Sequence, residues 1–319
     1  MINSGCSQQQ IVRDKYPIWG EEIYLETAKK DLPLHMQFLS PEPPDSARAC
    51  LLIVHGMNEH IGRYHMIADS FADRYNVAGF DLTGHGLSNP ALLAAHRSIL
   101  SGNTEYNVSN AYLAQAQLRN LEPMRKDMDI VLNYLIDRCD KIAGDTPQPV
   151  FILSHSLGSL VSASWLLKSP PSSLKQRIKG IIFTGPAFSV PTVPGWRGWL
   201  QNPFLDFSFY THEQFLNPHN EPLPILLLNQ LLALVTVPLQ DGFIEFFSLP
   251  GTRTLFSPTT PEWVADYISD REEERNRYIT DNYIIRRSIL RYVLGIEKEI
   301  IQFRSGMDQF DIPYLLIYS

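Results

Sequence analysis

The sequence contains few cysteines and no export pattern at its amino-terminal end. Only three cysteines occur among the 319 residues, at Cys6, Cys50 and Cys139. No two of them stand at the short spacing of a metal site, and an odd number cannot all pair with one another. The first residues carry neither the basic part nor the apolar part of a secretory signal. These absences predict a reducing compartment and a cytoplasmic protein.

Positive charge and uninterrupted apolar runs are also scarce. The 27 lysines and arginines stand against 34 acidic residues, a formal net charge of −7, and no basic stripe appears along the chain. Nucleic acid is therefore not an expected partner. The longest apolar run, 223–239, is interrupted by Asn229 and Gln230 and falls short of the roughly 20 apolar residues that a membrane helix needs.

What the sequence does contain is an alternation of strand-like and helix-like segments. The strand-like segments are 22–28, 33–39, 49–56, 76–82, 149–154 and 179–187, and the helix-like ones are 64–72, 119–139 and 157–169. The stretch 83–118 is interpreted as a long, mixed connection. Strands that alternate with helices predict an α/β fold with a mostly parallel sheet and flanking helices.

The alternation stops after residue 188 and a strand-like segment returns only at 311–319. This break predicts three parts: a core over 1–188, an inserted helical cap over 189–310, and a further core strand at 311–319. Such a cap would cover the carboxyl edge of the sheet, where open α/β sheets bind ligands. The apolar run 223–239 has two interpretations, a helix packed between cap and core, or a lining for an acyl chain that also gives peripheral membrane contact. Either one favours a lipid-like ester over a peptide as substrate.

The segment Ser-His-Ser-Leu-Gly, with Ser156 at its centre, joins a strand-like run to a helix-like one. This is a variant of the Gly-x-Ser-x-Gly turn that exposes a nucleophilic serine, with Ser154 in place of the first glycine. The turn needs small neighbours because its backbone is strained and closely packed, and Ser154, Gly158 and Ser159 are all small. Ser156 is therefore the candidate nucleophile.

A second motif, His-Gly-Met-Asn-Glu-His-Ile-Gly-Arg-Tyr at 55–64, directly follows a buried strand. Acyl transfer needs two backbone N–H groups aimed at the developing oxyanion, and Met57 and Leu157 are the candidates. The histidines at 55, 60 and 85 fit no metal-ligand spacing and are expected to brace loops. No metal and no cofactor is predicted.

These two motifs, with Phe-Asp-Leu-Thr-Gly-His-Gly-Leu-Ser at 80–88 and the segment 268–287, resemble the monoacylglycerol lipase and lysophospholipase branch of the α/β-hydrolase superfamily, which is related to the serine aminopeptidases S33. The resemblance covers about residues 20–319. It implies a serine hydrolase of carboxylic esters that needs no cofactor, acting on a small lipid or ester through an acyl-enzyme.

The resemblance also assigns individual residues. Ser156 matches the nucleophile of the branch, Met57 and Leu157 match its oxyanion-hole residues, and three further positions match the polar lining of its head-group pocket, His155, Glu59 and Arg63. For the last two a simpler interpretation is equally open, because residues four apart at a helix start can pair with each other.

The order of the catalytic triad in this superfamily is serine, then an acid, then a histidine. The strand at 311–319 resembles the one that precedes the acid, so neither the triad acid nor its histidine is expected in this chain. We therefore expect a truncated chain that lacks the last strands and helix of the fold and is inactive by the usual mechanism. His212 and His219, in the predicted cap, stay open as a substitute base.

Two alternatives remain from the sequence. One is a non-catalytic lipid-binding or interaction protein that kept the fold. The other is an amidase, peptidase or acyltransferase of the same fold, which differs only in the chemistry of its pocket.

Overall fold

The computed structural model describes residues 10–27, 32–109, 112–113, 118–168, 170–189, 212–213, 222–249, 265–287 and 290–318. The strands are β1 (Gln10–Val12), β2 (Glu21–Leu25), β3 (Leu34–Leu39), β4 (Cys50–Val54), β5 (Asn76–Phe80), β6 (Tyr106–Val108), β7 (Val150–His155), β8 (Ile178–Thr184) and β9 (Tyr314–Ile317). The helices are α1 (His65–Phe71), α2 (Pro90–Leu100), α3 (Glu122–Ile142), α4 (Leu157–Leu167), α5 (Ser172–Lys175), α6 (Leu223–Phe247), α7 (Ala265–Ile268), α8 (Glu272–Thr280) and α9 (Leu290–Gly306).

Seven of the strands form one sheet in the order β2-β3-β5-β4-β7-β8-β9. The pairs β2–β3 and β3–β5 are antiparallel, and the remaining pairs are parallel. The central parallel strands β4 and β5 are buried on both faces, as the Cys-Leu-Leu-Ile-Val run of β4 shows, whereas β9 at the sheet edge is largely exposed. The predicted α/β class with a mostly parallel sheet is confirmed.

The chain changes direction across the sheet at β4. From β4 it runs to β5 on one side, and it then returns to β7 on the other side of β4. The loops that follow β4 and β7 therefore leave the same edge of the sheet from neighbouring strands. In open α/β sheets this switch point is where a crevice forms and where ligands bind.

Part of the predicted connection 83–118 is regular structure, so that interpretation was wrong there. Helix α2 begins after Asn89, whose side chain accepts the N–H of Ala91 at 3.0 Å, and Pro90 occupies its first position. An Asn cap followed by proline is a helix-start signal that the sequence analysis did not use. Strand β6 pairs antiparallel with β1 in a separate sheet of two strands.

A disulfide joins Cys50 at the start of β4 to Cys139 near the end of α3, with both residues fully buried. The odd number of cysteines, from which a reducing compartment was predicted, therefore includes one pair. The two residues are 89 positions apart, and only the packing of α3 on the sheet brings them together. The cytoplasmic location rested on that argument and stays a prediction.

Helix α9 packs against α4 and gives Tyr292, Ile300 and Phe303 to the main core cluster. Strand β9 follows it and pairs parallel with β8, as expected for a core strand at 311–319. The predicted cap over 189–310 stays a prediction, because much of it lies outside the described residues. The packing of α9 nevertheless attaches the end of that range to the core.

Helix α6 exposes most of its apolar side chains. Within it only Ala233 and Val237 are buried, and the helix passes through Pro238. By length and composition alone, this helix could cross a membrane. The helix extends beyond the predicted run to Phe247 and packs against α9. Both interpretations of the run stay predictions.

Asp127 links α3 to the loop that follows β5. Its side chain is 3% exposed, and its two oxygens accept the N–H and the O–H of Thr83, each at 2.8 Å. Burial raises the pKa of Asp127 from 3.8 to about 7, although both hydrogen bonds from Thr83 favour the ionised form. Between pH 3.8 and about pH 7 the Asp127 carboxyl is protonated in the folded protein but ionised in the unfolded chain. The contribution of Asp127 to stability is therefore lost as pH rises through about 7.

Replacing Asp127 by Asn should remove this pH dependence, because the amide cannot ionise and still offers an acceptor to Thr83. We expect the unfolding free energy of the wild type to fall relative to Asp127→Asn by about 2 kcal/mol between about pH 5 and about pH 8. Urea unfolding at both pH values measures the difference. Asp308→Asn, at an exposed position, is the control. If the difference in unfolding free energy between wild type and Asp127→Asn is the same at both pH values, the prediction is contradicted.

Candidate active site

Ser156 lies in the tight turn between β7 and α4 with a backbone that side-chain-bearing residues rarely adopt. Its φ is 49° and its ψ is −118°, and its N–H donates to the Thr184 carbonyl at 3.0 Å. A strained, non-glycine residue at a strand-to-helix turn is the geometry of the nucleophile turn in α/β hydrolases. This turn places Ser156 at the carboxyl edge of the sheet, between β7 and α4.

The turn after β4 lies directly against Ser156. A Cβ atom placed on Gly56 would lie 3.0 Å from the Cβ of Ser156 and 3.2 Å from the ring of His155. Position 56 therefore requires glycine, because any larger side chain would clash with Ser156 and His155. The structure thus brings together the two motifs that are 100 residues apart in the sequence, at positions 56 and 156.

Neither candidate oxyanion donor has a backbone acceptor for its N–H outside regular structure among the described residues. The Met57 N–H has no hydrogen-bond acceptor among the described residues. Leu157 begins α4, and the first N–H groups of a helix have no partner within it. An oxygen that approached Ser156 could accept from such groups. The role of these two residues stays a prediction.

Buried histidines brace the loops around the site, as predicted. His55 accepts the Leu82 N–H on Nε2 at 3.0 Å and donates from Nδ1 to the Gly56 carbonyl at 2.8 Å. Burial lowers the pKa of His55, so the ring is neutral and carries its proton on Nδ1. Burial also lowers the pKa of His85, to about 3. His60 Nε2 contacts Asp281 at 2.8 Å.

A buried carboxylate, Asp81, holds the other end of the loop after β4. Its oxygens accept from the Tyr16 hydroxyl, from the N–H groups of Ile61 and Leu87, and from His35 Nδ1, each at 2.8 Å. Burial alone would raise its pKa, but the hydrogen bond and charge of His35 hold it well below its ordinary value. This aspartate lies within the motif at 80–88, and its role is visible only where the fold brings these donors together.

The three predicted head-group residues lie together beside Ser156. Glu59 and Arg63 form an ion pair at 3.7 Å, which agrees with the simpler interpretation of these two residues. His155 is 43% exposed, donates from Nδ1 to the Thr184 carbonyl at 3.0 Å, and has Nε2 at 4.0 Å from Glu59. Their contact with a substrate stays a prediction. Within the described part of the chain, no group of three or more His, Cys, Asp or Glu side chains could hold a metal.

Comparison with known families gives one match, to the serine aminopeptidase S33 family over residues 45–319. The chain belongs to this family. Its fold is that of a solved soluble variant of monoglyceride lipase from Saccharomyces cerevisiae, with a TM-score of 0.58 at 12% identity over 94% of this chain and 76% of that one. A monoacylglycerol lipase from Paleococcus ferrophilus gives a TM-score of 0.50 at 16% identity over 89% and 77%. Comparison with curated proteins finds no match.

An α/β serine hydrolase of the S33 family needs a base next to its nucleophile. No histidine among the described residues hydrogen bonds to the Ser156 hydroxyl. His212 is fully buried, with Asp241 at 3.2 Å and Glu297 at 3.0 Å. His219 lies outside the described residues. The expected lack of a triad histidine in this chain stays a prediction.

Gly158 allows the nucleophile turn to pack on β4. A Cβ atom at this position would lie 2.5 Å from the backbone oxygens of Val54 and His55, which cannot move aside as a flexible side chain could. We expect Gly158→Ala to destabilise the protein by about 1–3 kcal/mol in urea unfolding, although alanine favours helices. Gly242→Ala is the control, since nothing lies within 4 Å of its added atom, and it should raise stability by about 0.5–1 kcal/mol. A neutral effect at Gly158 would contradict the prediction.

Proposed function

We propose that this protein is an ester hydrolase that acts on single-chain lipids, a monoacylglycerol or a lysophospholipid, through an acyl-enzyme on Ser156. One observation carries the proposal, the strained backbone of Ser156 packed against the turn that bears the Met57 N–H. Membership of the S33 family supports the serine chemistry. Two solved proteins of similar fold, a monoglyceride lipase and a monoacylglycerol lipase, support the choice of ester.

In the proposed reaction the Ser156 hydroxyl oxygen bonds to the ester carbonyl carbon while its proton passes to a general base. The N–H groups of Met57 and Leu157 stabilise the negative carbonyl oxygen. The C–O bond then breaks, the alcohol leaves with a proton, and water releases the fatty acid from Ser156. The family resemblance implies that a histidine accepts this proton and that an acid orients the histidine.

Helix α6 supports a substrate presented at a lipid surface. Leu228, Leu231 and Val235 are 66%, 63% and 61% exposed, and they share one face of the helix. Exposed apolar area on this scale marks an interaction surface. The helix carries no lysine or arginine, so we propose that it enters the lipid by apolar contact alone, as a peripheral attachment.

A second candidate is a lipid-binding protein without turnover. The observation that favours it is that no histidine among the described residues forms a hydrogen bond with the Ser156 hydroxyl. This protein would bind a single-chain lipid with the same residues and α6, but would not release fatty acid.

A fluorophosphonate probe tests the nucleophile. It should react with the Ser156 oxygen, losing fluoride, and Ser156→Ala should abolish the labelling. Ser305→Ala, an exposed serine outside the site, should label as the wild type does. The test is run on the 319-residue chain and on a form extended by the codons that follow codon 319. In a form that turns over, Ser156→Ala should lower kcat by about a millionfold. Saturable lipid binding with no labelling in either form would favour the second candidate.

Vesicle binding tests α6. The triple variant Leu228→Ser, Leu231→Ser, Val235→Ser should bind phosphatidylcholine vesicles at least about 10-fold more weakly, because each change removes apolar area that would enter the lipid. Leu100→Ser with Met307→Ser, which are 54% and 52% exposed elsewhere, is the control. Binding should not weaken with salt, as the net charge is −7 and α6 has no basic residue. Binding that depends on anionic lipid and salt would contradict this mode of attachment.

A further inference from the structure

The carboxylate of Glu59 is largely occupied by the protein itself. Its Oε1 accepts the backbone N–H of Gly56 at 2.6 Å and the Tyr64 hydroxyl at 2.9 Å. Its Oε2 lies 3.7 Å from Arg63 Nε, and the side chain is only 16% exposed. A substrate hydroxyl would therefore have to compete for a carboxylate that already has partners on both oxygens.

Glu59 is also held in its ionised form. Burial acts to raise its pKa, but the charges of His155 and Arg63 and the hydrogen bond from Gly56 outweigh burial and lower it. An ionised carboxylate is an acceptor only. This matches its two donors, the Gly56 N–H and the Tyr64 O–H, and gives charge-assisted hydrogen bonds of the stronger kind.

The Gly56 N–H is one residue before the candidate oxyanion donor Met57. Gly56 has no side chain, so its own φ and ψ are weakly restricted and need an external anchor. The Gly56 N–H is anchored by Glu59, and the Gly56 carbonyl accepts a hydrogen bond from His55 Nδ1 at 2.8 Å. On the other side of Met57, the Asn58 carbonyl accepts the N–H of Ile285 at 2.8 Å. The peptide that carries the Met57 N–H is thus restrained from both ends.

The charge of Glu59 cannot itself assist the reaction. A negative carboxylate beside a developing oxyanion repels it, so any benefit to the rate must come from geometry. This separates two roles that the same side chain could have. A ligand for the substrate's head group would act on substrate affinity, whereas an anchor for Gly56 would act on the transition state alone.

We propose that Glu59 is a positioning residue that fixes the turn of the oxyanion hole through the Gly56 N–H, in place of the head-group role that the family resemblance implies. The proposal rests on the proposed function for the identity of Met57 as a donor. The contact between Glu59 and Gly56 is independent of that assignment, which allows the two to be tested separately.

The test compares Glu59→Ala with Glu59→Gln, which keeps an acceptor for Gly56 and removes the charge. In a form that turns over a monoacylglycerol, Glu59→Ala should lower kcat by about 100-fold and leave KM within about threefold, since a small misplacement of a transition-state donor costs this much. Glu59→Gln should restore kcat to near the wild-type value. Tyr64→Phe, which removes a second donor to the same oxygen but leaves Gly56 in place, is the matched control and should change kcat less than Glu59→Ala.

Hydrogen exchange of the 55–58 segment gives a readout that needs no activity. Exchange there should be faster in Glu59→Ala than in wild type, Glu59→Gln or Tyr64→Phe, while exchange in the central strands stays the same and shows that the variant is folded. Equal exchange in Glu59→Ala and wild type would overturn the proposal. So would a rise in KM with unchanged kcat in both Glu59 variants, which is the head-group outcome. If Ser156→Ala is as active as wild type, the proposed function fails, and hydrogen exchange still decides the role of Glu59.

Discussion

The contact between two turns, one after β4 and one after β7, is the constraint on which the rest of the site depends. The turn at Gly56 approaches Ser156 so closely that an added methyl group would lie 3.0 Å from its Cβ atom, and Gly158 approaches the backbone of Val54 in the same way. Neither turn could take this position with larger residues. The strained φ of Ser156 persists because packing from both sides over-determines it.

Buried polar groups hold these turns in place where apolar packing could not. Asp81 accepts hydrogen bonds from four parts of the chain. Asp127 and Glu59 each fix a loop by accepting a backbone N–H group. Directional bonds of this kind specify one loop conformation, since a buried donor left without a partner costs about 1–3 kcal/mol. The loops around Ser156 are therefore rigid for a physical reason that their sequences alone do not display.

Local sequence patterns predicted correctly those features that depend on a single strand or turn. Apolar runs such as Cys50–Val54 predicted the buried strands, because a strand covered on both faces must be apolar throughout. The small residues around Ser156 predicted the strained turn. The motifs also pointed to the S33 family, to which the chain belongs. Helix α2 was missed although its Asn-Pro start was visible, because its surroundings are mixed in composition.

The sequence by itself determined the fold class and the candidate nucleophile of this protein, since both follow from short-range patterns in which neighbouring residues constrain each other. Only the tertiary structure decided which side chains meet. The pairing of Cys50 with Cys139, the anchoring of Gly56 by Glu59 and the exposure of α6 all depend on distances between segments far apart in the chain or on what covers a helix. Such distances are set by packing over the whole core, and no local pattern encodes them.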